Sequence, residues 1–450
     1  MSKPNFVIFL TDDQGYGDLS CMGCTDFETP NIDSLAQGGA RFTDWYANGP
    51  VCSPTRASVL TGRYPCNAGV RSVLRGHRTA TGLPPQVPAL PKVLKEHGYR
   101  TYLAGKWHLG VQEASRPHNH GFDHWCGFLA GCIDYYSHIF YWEANKPGPG
   151  RNPVHDLWED NCERWENGRY FTELVTEKAV NYLQTAVAAD APFLLCVHYN
   201  APHYPMHAPA EYMQRFAHLP WDRQVMAAML AAVDDGVGRI RGEMQRLGVA
   251  ENTVTLFMSD NGPSRESRNW LDGTLDPYYG GTSGRLKGHK ASLFDGGIRV
   301  PGIMNWPARI RPGRVLTAPC TGADVFPTML AAAGGNPDTY ELDGNNILPY
   351  LENDEPPAGR DIYWEFGEQT AMRRGPWKLV LNGKLTEGVS EADAVHLSNL
   401  DEDMGETQNR KDENPAFTEE LKRCAESWRA DVEARWQREF SPARQGTVTH

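Results

Sequence analysis

A chain of 450 residues is longer than a single hydrophobic core usually serves, which predicts a large domain with a smaller one beside it. Hydrophobic residues at 40% and charged residues at 22% are the composition of an ordered globular protein and argue against disorder. A formal net charge of −12 argues against a general affinity for nucleic acid or anionic membrane, so an anionic substrate needs a locally positive site.

The chain opens on an apolar run, Asn5 to Leu10, read as a strand. Further strand-like runs follow at Arg100 to Ala104, Pro192 to Tyr199 and Thr253 to Met258. Between them the spacing predicts helices over Tyr170 to Ala189 and Trp221 to Leu247. Alternation of this kind is the pattern of an α/β fold built on a largely parallel sheet. After about Gly335 the texture turns rich in Pro, Asn and Asp, which sets the expected boundary: residues 1–335 form the large domain and 336–450 the small one. Two strand-like runs, Asp361 to Phe366 and Trp377 to Leu381, fall in the second part. An amphipathic helix over Pro415 to Phe440 closes it, with Phe417, Leu421, Cys424, Trp428 and Val432 on one face.

No run approaches the roughly 20 apolar residues of a membrane span, so no membrane crossing is expected. The visible start lacks a signal peptide, which predicts the cytoplasm; a trimmed signal would place the protein in the periplasm or outside the cell. Ten cysteines are too sparse for a disulfide framework. Cys21 and Cys24 form a lone CxxC and are read as packing residues, and His118, His120 and His124 are not read as a zinc site.

In open α/β sheets ligands gather at the carboxyl ends of the strands. Here those positions are polar. The first run ends in Asp12 and Asp13 and the last in Asp260 and Asn261, a set of hard oxygen donors suited to Ca²⁺ or Mg²⁺. Turn and cap formation is the alternative reading of such residues. The other two runs lead to Lys106 and His108 and to His203, which add cations and proton carriers. Between Gly49 and Pro65 lies GPVCSPTRASVLTGRYP, in which Ser53 is expected to cap a helix that begins at Pro54 and ends at Gly62. Cys52 then sits at the positive end of that helix.

These residues resemble the arylsulfatase family of the alkaline phosphatase superfamily. Its CxPxR signature and the ASxLTGRYP that follows are met by Cys52, Pro54, Arg56, Ala57, Ser58 and Leu60 to Pro65. TDDQGYGDL at the start, GKWHLG, the APHYP around His203, SDNG and the segment from Lys290 to Pro301 match as well. RRGPWKL and LSNLDEDMGET extend the resemblance into the C-terminal part, so it covers nearly the whole chain.

The resemblance implies an alkaline phosphatase-like fold, with a large, mostly parallel sheet flanked by helices and a small C-terminal α+β domain holding a short antiparallel sheet. It implies a sulfuric ester hydrolase in which a maturation enzyme, the formylglycine-generating enzyme, converts Cys52 to formylglycine. Turnover would then pass through a sulfate ester on that residue. Asp12, Asp13, Cys52, Asp260 and Asn261 match the ligands of a metal, Ca²⁺ by expectation and Mg²⁺ as the alternative, and Asp260 matches the base. Arg56, Lys106, His108, His203 and Lys290 match the remaining catalytic positions.

The expected substrate is a sulfated small molecule or glycan, with amino-sugar sulfates favoured by GCIDYYSH at Gly131 to His138. His77, Asp134, Trp270 and Arg373 are candidate substrate contacts, and the aromatic residues from Asp134 to Trp142 are read as either core or a platform for a sugar ring. Two alternatives remain open. One is a phosphodiesterase or phosphonate monoester hydrolase of the same superfamily, and the other is a catalytically silent carbohydrate-binding relative.

Overall fold

The computed structural model describes residues 3–140, 154–265, 280–386 and 393–441. The four apolar runs become Asn5–Thr11, Arg100–Lys106, Phe193–His198 and Thr253–Ser259. They are neighbours in a ten-stranded sheet, in the order Thr253–Ser259, Asn5–Thr11, Phe193–His198, Arg100–Lys106, all parallel. Both faces of this central part are covered, which is why each run is apolar without alternation. Phe6, Ile8 and Leu10 enter one core cluster and Val7 and Phe9 the other.

Towards its edges the sheet is mixed. Gly302–Asn305 pairs antiparallel with Thr253–Ser259, and Trp158–Glu159 pairs antiparallel with His124–Phe128. On one face lie the helices Cys52–Thr61, Leu90–Glu96 and Val325–Ala332; on the other lie Pro30–Gln37, Phe171–Ala188 and Trp221–Arg246. Ile347, Tyr350 and Leu351, which follow the compositional change at Gly335, still pack into the core of the large sheet.

One glycine decides how closely the central strands end together. Gly105 has φ 113°, and a Cβ there would lie 1.9 Å from the carbonyl oxygen of His198. Only glycine permits that approach, and the next residue is Lys106.

The smaller sheet has four antiparallel strands, Asp361–Phe366, Gln369–Arg374, Trp377–Gly383 and Asp393–Asn399. One face packs Ile362, Trp364, Ala371 and Val380 against Leu293, Phe294 and Ile298, in the chain segment that follows Lys290. The other face is covered by the helix Pro415–Glu439, through Leu421 and Ala425 against Met372, Leu379 and Leu397. The three buried leucines named there contribute roughly 1.5–3 kcal/mol each. Trp428 stacks on Tyr363 with centroids 5.1 Å apart. Among the described residues no helix is long and apolar enough to cross a membrane.

Candidate active site

The first and fourth strands end side by side, and their backbones lock the residues that follow. Asp260 N donates to Thr11 O (3.1 Å), Asp12 N to Ala201 O (3.2 Å) and Asp13 N to Asp260 Oδ1 (3.2 Å). Asp13 adopts φ 63°, a left-handed conformation that costs a non-glycine residue energy and is concentrated at functional sites. Asn261 Nδ2 donates to Asp13 Oδ1 at 2.7 Å. Ligand atoms of Asp12, Asp13, Cys52 and His203 all lie within 4.8 Å of one another.

Each buried carboxylate faces a buried cation. Lys106 Nζ bonds Asp12, Lys290 Nζ donates to Asp13 Oδ2 at 2.9 Å, and Arg56 reaches Asp260 Oδ2 through Nε at 2.9 Å and Nη2 at 2.8 Å. Arg56 Nη1 also donates to Lys106 O, at 3.2 Å. Buried charges are retained only when paired in this way. Burial pushes Asp260 up to about 7, helped by the Asp12 charge and opposed by Arg56 and Lys106. Asp13 shifts the other way: burial opposes its ionisation, but Lys290, His203 and Asn261 outweigh it and lower its pKa.

Cys52 is the first residue of the helix Cys52–Thr61, all ten residues of which are buried. The expected cap is corrected here. Val51 is the N-cap and carries no side-chain bond, while Ser53 lies within the helix and its Oγ accepts from Leu74 N at 3.1 Å. The first-turn N–H groups therefore have no side-chain cap, which leaves a positive helix end beside residue 52. Gly62 ends the helix in the left-handed conformation, at φ 67°. Burial, then repulsion from Asp12, raises the Cys52 thiol well above its usual range. It is a poor nucleophile as a thiol.

His108, at φ 52°, sets its Nε2 3.0 Å from Leu74 O. A carbonyl only accepts, so Nε2 carries the proton and Nδ1, buried without a hydrogen-bond partner among the described residues, is the bare nitrogen. Burial, then the Lys106 charge, hold its pKa well below the usual histidine value. His203 is fixed in the opposite sense. Its Nδ1 donates to Tyr204 O at 2.7 Å, leaving Nε2 facing Lys290 Nζ (3.4 Å) and Asp13 Oδ2 (3.6 Å). Tyr135, whose role as a clamp the sequence did not reveal, donates to both Asn200 O and His203 O. Its place in an aromatic-rich stretch was the only signal.

The candidate substrate contacts are placed differently. His77 bonds Thr79 on the loop that leaves Leu74. Asp134 accepts from Tyr136 N, Ser137 N and Ser137 Oγ and pairs with His207 at 3.3 Å. Arg373 is buried and spends its donors on Asp44, Tyr46 and Gly375, away from the cluster around Cys52. An isolated arginine in a sequence gives no sign of such a partner. Trp270 lies outside the described residues.

Two observations test whether these residues suit a metal. Asp12 Oδ1 and Asn261 Oδ1 are buried and have no hydrogen-bond partner among the described residues, although neighbouring carboxylates and amides are bonded. Both are hard oxygens beside Asp13 and Asp260, and a hard divalent cation satisfies lone pairs that no N–H reaches. The donor set fits.

Parallel strands ending in carboxylates, with a buried residue at a helix N-terminus between cations, define an alkaline phosphatase-like hydrolase. A sequence profile described as Sulfatase matches residues 4–335. N-acetylgalactosamine-6-sulfatase of Mus musculus is 32% identical over 394 residues, covering 84% of this chain and 72% of its own length. Arylsulfatase G of Homo sapiens is 32% identical over 441 residues, covering 90% and 82%. Against several other curated relatives the chain spans 64% to 66% of their length. The crystal structure of Ps i-CgsB in complex with k-i-k-neocarrahexaose superposes with a TM-score of 0.84 at 31% identity, covering 95% of this chain and 93% of that one. The chain belongs to the sulfatase family and is a sulfatase.

Proposed function

We propose that this sulfatase hydrolyses sulfate monoesters on a carbohydrate, amino-sugar sulfates above all, with residue 52 acting as nucleophile once it is oxidised to formylglycine. The observation that carries this reading is the buried cluster of Asp12, Asp13, Cys52 and His203, bounded by Lys106, Lys290 and Arg56. Relatives named for N-acetylgalactosamine-6-sulfate and a neighbour holding neocarrahexaose support the sugar.

Asp12, Asp13, Asp260 and Asn261 would hold Ca²⁺, or Mg²⁺, whose chemistry there is to polarise a sulfate oxygen and ease ionisation of the attacking hydroxyl. Formylglycine, once water has added to its aldehyde, supplies two hydroxyls on one carbon, one to attack sulfur and one to drive release of sulfate. A side chain as buried as Cys52 is out of reach of a modifying enzyme in the folded protein, so maturation has to precede closure of the fold.

The chain's own residues then divide the work. Lys106 and Lys290 donate to the sulfate oxygens as charge grows on them. Arg56 fixes Asp260 and, through Lys106 O, the lysine beside it. His203, with Nδ1–H tied to Tyr204, presents Nε2 to the departing alcohol and, when protonated on that nitrogen as well, gives the alcohol its proton. His108 offers its bare Nδ1 to take the proton of the second hydroxyl.

Turnover of amino-sugar sulfates, aryl sulfates, aryl phosphates and aryl phosphonates by the native protein and by Cys52→Ala tests the reading, alongside the mass of the tryptic peptide Phe42 to Arg56. Sulfate release by the native protein alone, with residue 52 having lost its sulfur and two hydrogens and gained one oxygen, is expected. Faster turnover of phosphates or phosphonates, or an active Cys52→Ala, would reject it.

A further inference from the structure

One side chain of the small sheet reaches the backbone beside the candidate site. Gln369 begins the strand Gln369–Arg374 and is buried, and all its amide groups are engaged. Its Nε2 donates to Ala291 O at 2.8 Å, and its Oε1 accepts from Leu293 N at 3.2 Å and Lys384 N at 3.0 Å. Turning the amide over would break all three bonds, so its orientation is unambiguous.

The backbone it grips is that of Lys290. Ala291 is held at φ 70°, where a residue with a Cβ is strained, and its N–H donates to Pro50 O, two residues before Cys52. Lys290 N donates to Pro263 O, beside the Asp260–Asn261 pair, and Lys290 O accepts from Thr386 Oγ1 at 3.4 Å. The lysine therefore leaves a backbone pinned to three chain segments, and Gln369 closes the turn behind it. Gln369 is itself anchored, because Arg429 of the C-terminal helix donates to Gln369 O at 3.1 Å and to Gly367 O at 2.7 Å.

We infer that Gln369 is a positioning residue for the sulfatase reaction: by holding the strained Ala291 turn it aims Lys290 Nζ at the space between Asp13 and His203. This rests on the role given above to Lys290. It makes the small domain part of the catalytic machinery, because a cation whose amine is misplaced by an ångström loses most of its hold on developing charge.

A double-mutant cycle tests it. Gln369→Met keeps the volume and removes all three bonds, whereas Gln369→Glu keeps the acceptor for Leu293 N and Lys384 N and loses the donor to Ala291 O. Each is combined with Lys290→Ala. Turnover of 4-nitrophenyl sulfate, affinity for inorganic sulfate by calorimetry and melting temperature are read on the full-length matured protein.

Gln369→Met is expected to lower kcat by about 10- to 100-fold with KM little changed, and to weaken sulfate binding. Both Gln369 variants should cost less than about twofold once Lys290 is alanine, with sulfate affinity supplying the cycle where turnover is too slow. Equal losses in both backgrounds, or native kcat in Gln369→Met, would overturn the inference. Should Gln369→Met fail to fold, Gln369→Glu decides on the same criteria. Native activity in Lys290→Ala would remove the role of Lys290 and this inference with it, whereas a crippled Lys290→Ala beside an unaffected Gln369→Met would remove the inference alone.

Discussion

Where the small sheet meets the large one, one lysine serves two buried carboxylates. Lys378 Nζ lies 2.7 Å from Asp295 Oδ1 and 3.2 Å from Glu406 Oε1, and Glu406 Oε2 accepts from Asp295 N at 2.6 Å. All three side chains are fully buried. Burial pushes Glu406 from 4.5 up to about 7, with the Asp295 charge adding to it against the pull of Lys378. The folded state thus holds a proton that the unfolded chain releases near 4.5, so stability is lost as pH rises from there through about 7. Integrated between pH 5 and pH 8, the loss is on the order of 2 to 3 kcal/mol. For a chain of this length, unfolding entropy of roughly 0.9 kcal/mol per kelvin makes that about 3 °C in melting temperature. Glu406→Gln mimics the protonated acid and removes the titration. Melting curves of the two proteins from pH 5 to pH 8 should coincide at the acid end and separate by about 3 °C at pH 8, the variant being the more stable. Parallel curves across the range would refute the reasoning.

Two other outcomes follow from side chains described above. Removing the bare Asn261 Oδ1 in Asn261→Ala should abolish most of the stabilisation by calcium, which for a site at 100 times its Kd is about 2.7 kcal/mol, or about 3 °C here. Thermal melts with chelator and with graded Ca²⁺ measure it, and an unchanged calcium shift would take Asn261 out of the site. Arg373→Met should lower the melting temperature by about 4 °C, since breaking one side of a buried ion pair costs about 3–5 kcal/mol. KM for an aryl sulfate should stay at its native value. A raised KM at native stability would return Arg373 to the substrate.

The central strands and the residues after them were legible because a strand buried on both faces must be apolar throughout, and polar residues at its end then stand out. Asp12, Asp13, Lys106, His108, His203 and Asp260 all announced themselves in that way. The helix that begins at Cys52 was placed two residues late. Ser53 and Pro54 have the local chemistry of a cap and a first turn, yet the tertiary bond from Leu74 N claims the serine. Only two of the four strands of the small sheet were visible. Gln369–Arg374 reads QTAMRR, and its polar residues are buried on the strength of partners that lie far away in sequence, such as Ala291 and Asp44. Arg373, offered as a substrate contact, likewise has partners far away in sequence, Asp44 and Tyr46. Sequence shows which side chains carry charge; it does not show which opposite charge will reach them.

The pairing of Asp12, Asp13 and Asp260 with Lys106, Lys290 and Arg56 has a consequence for affinity. With all three carboxylates ionised, the cluster presents no net charge of its own to an approaching sulfate monoester. A divalent cation entering it would turn a neutral cavity into one of charge +2, so anion affinity and cation affinity become a linked pair, each raising the other by the same factor. The protein's −12 then matters at a distance: a divalent cation would be drawn in by the overall field, and only the loaded site would reverse that field locally enough to admit an anion. A change in free calcium would therefore be felt as a change in sulfate affinity, before any bond is broken.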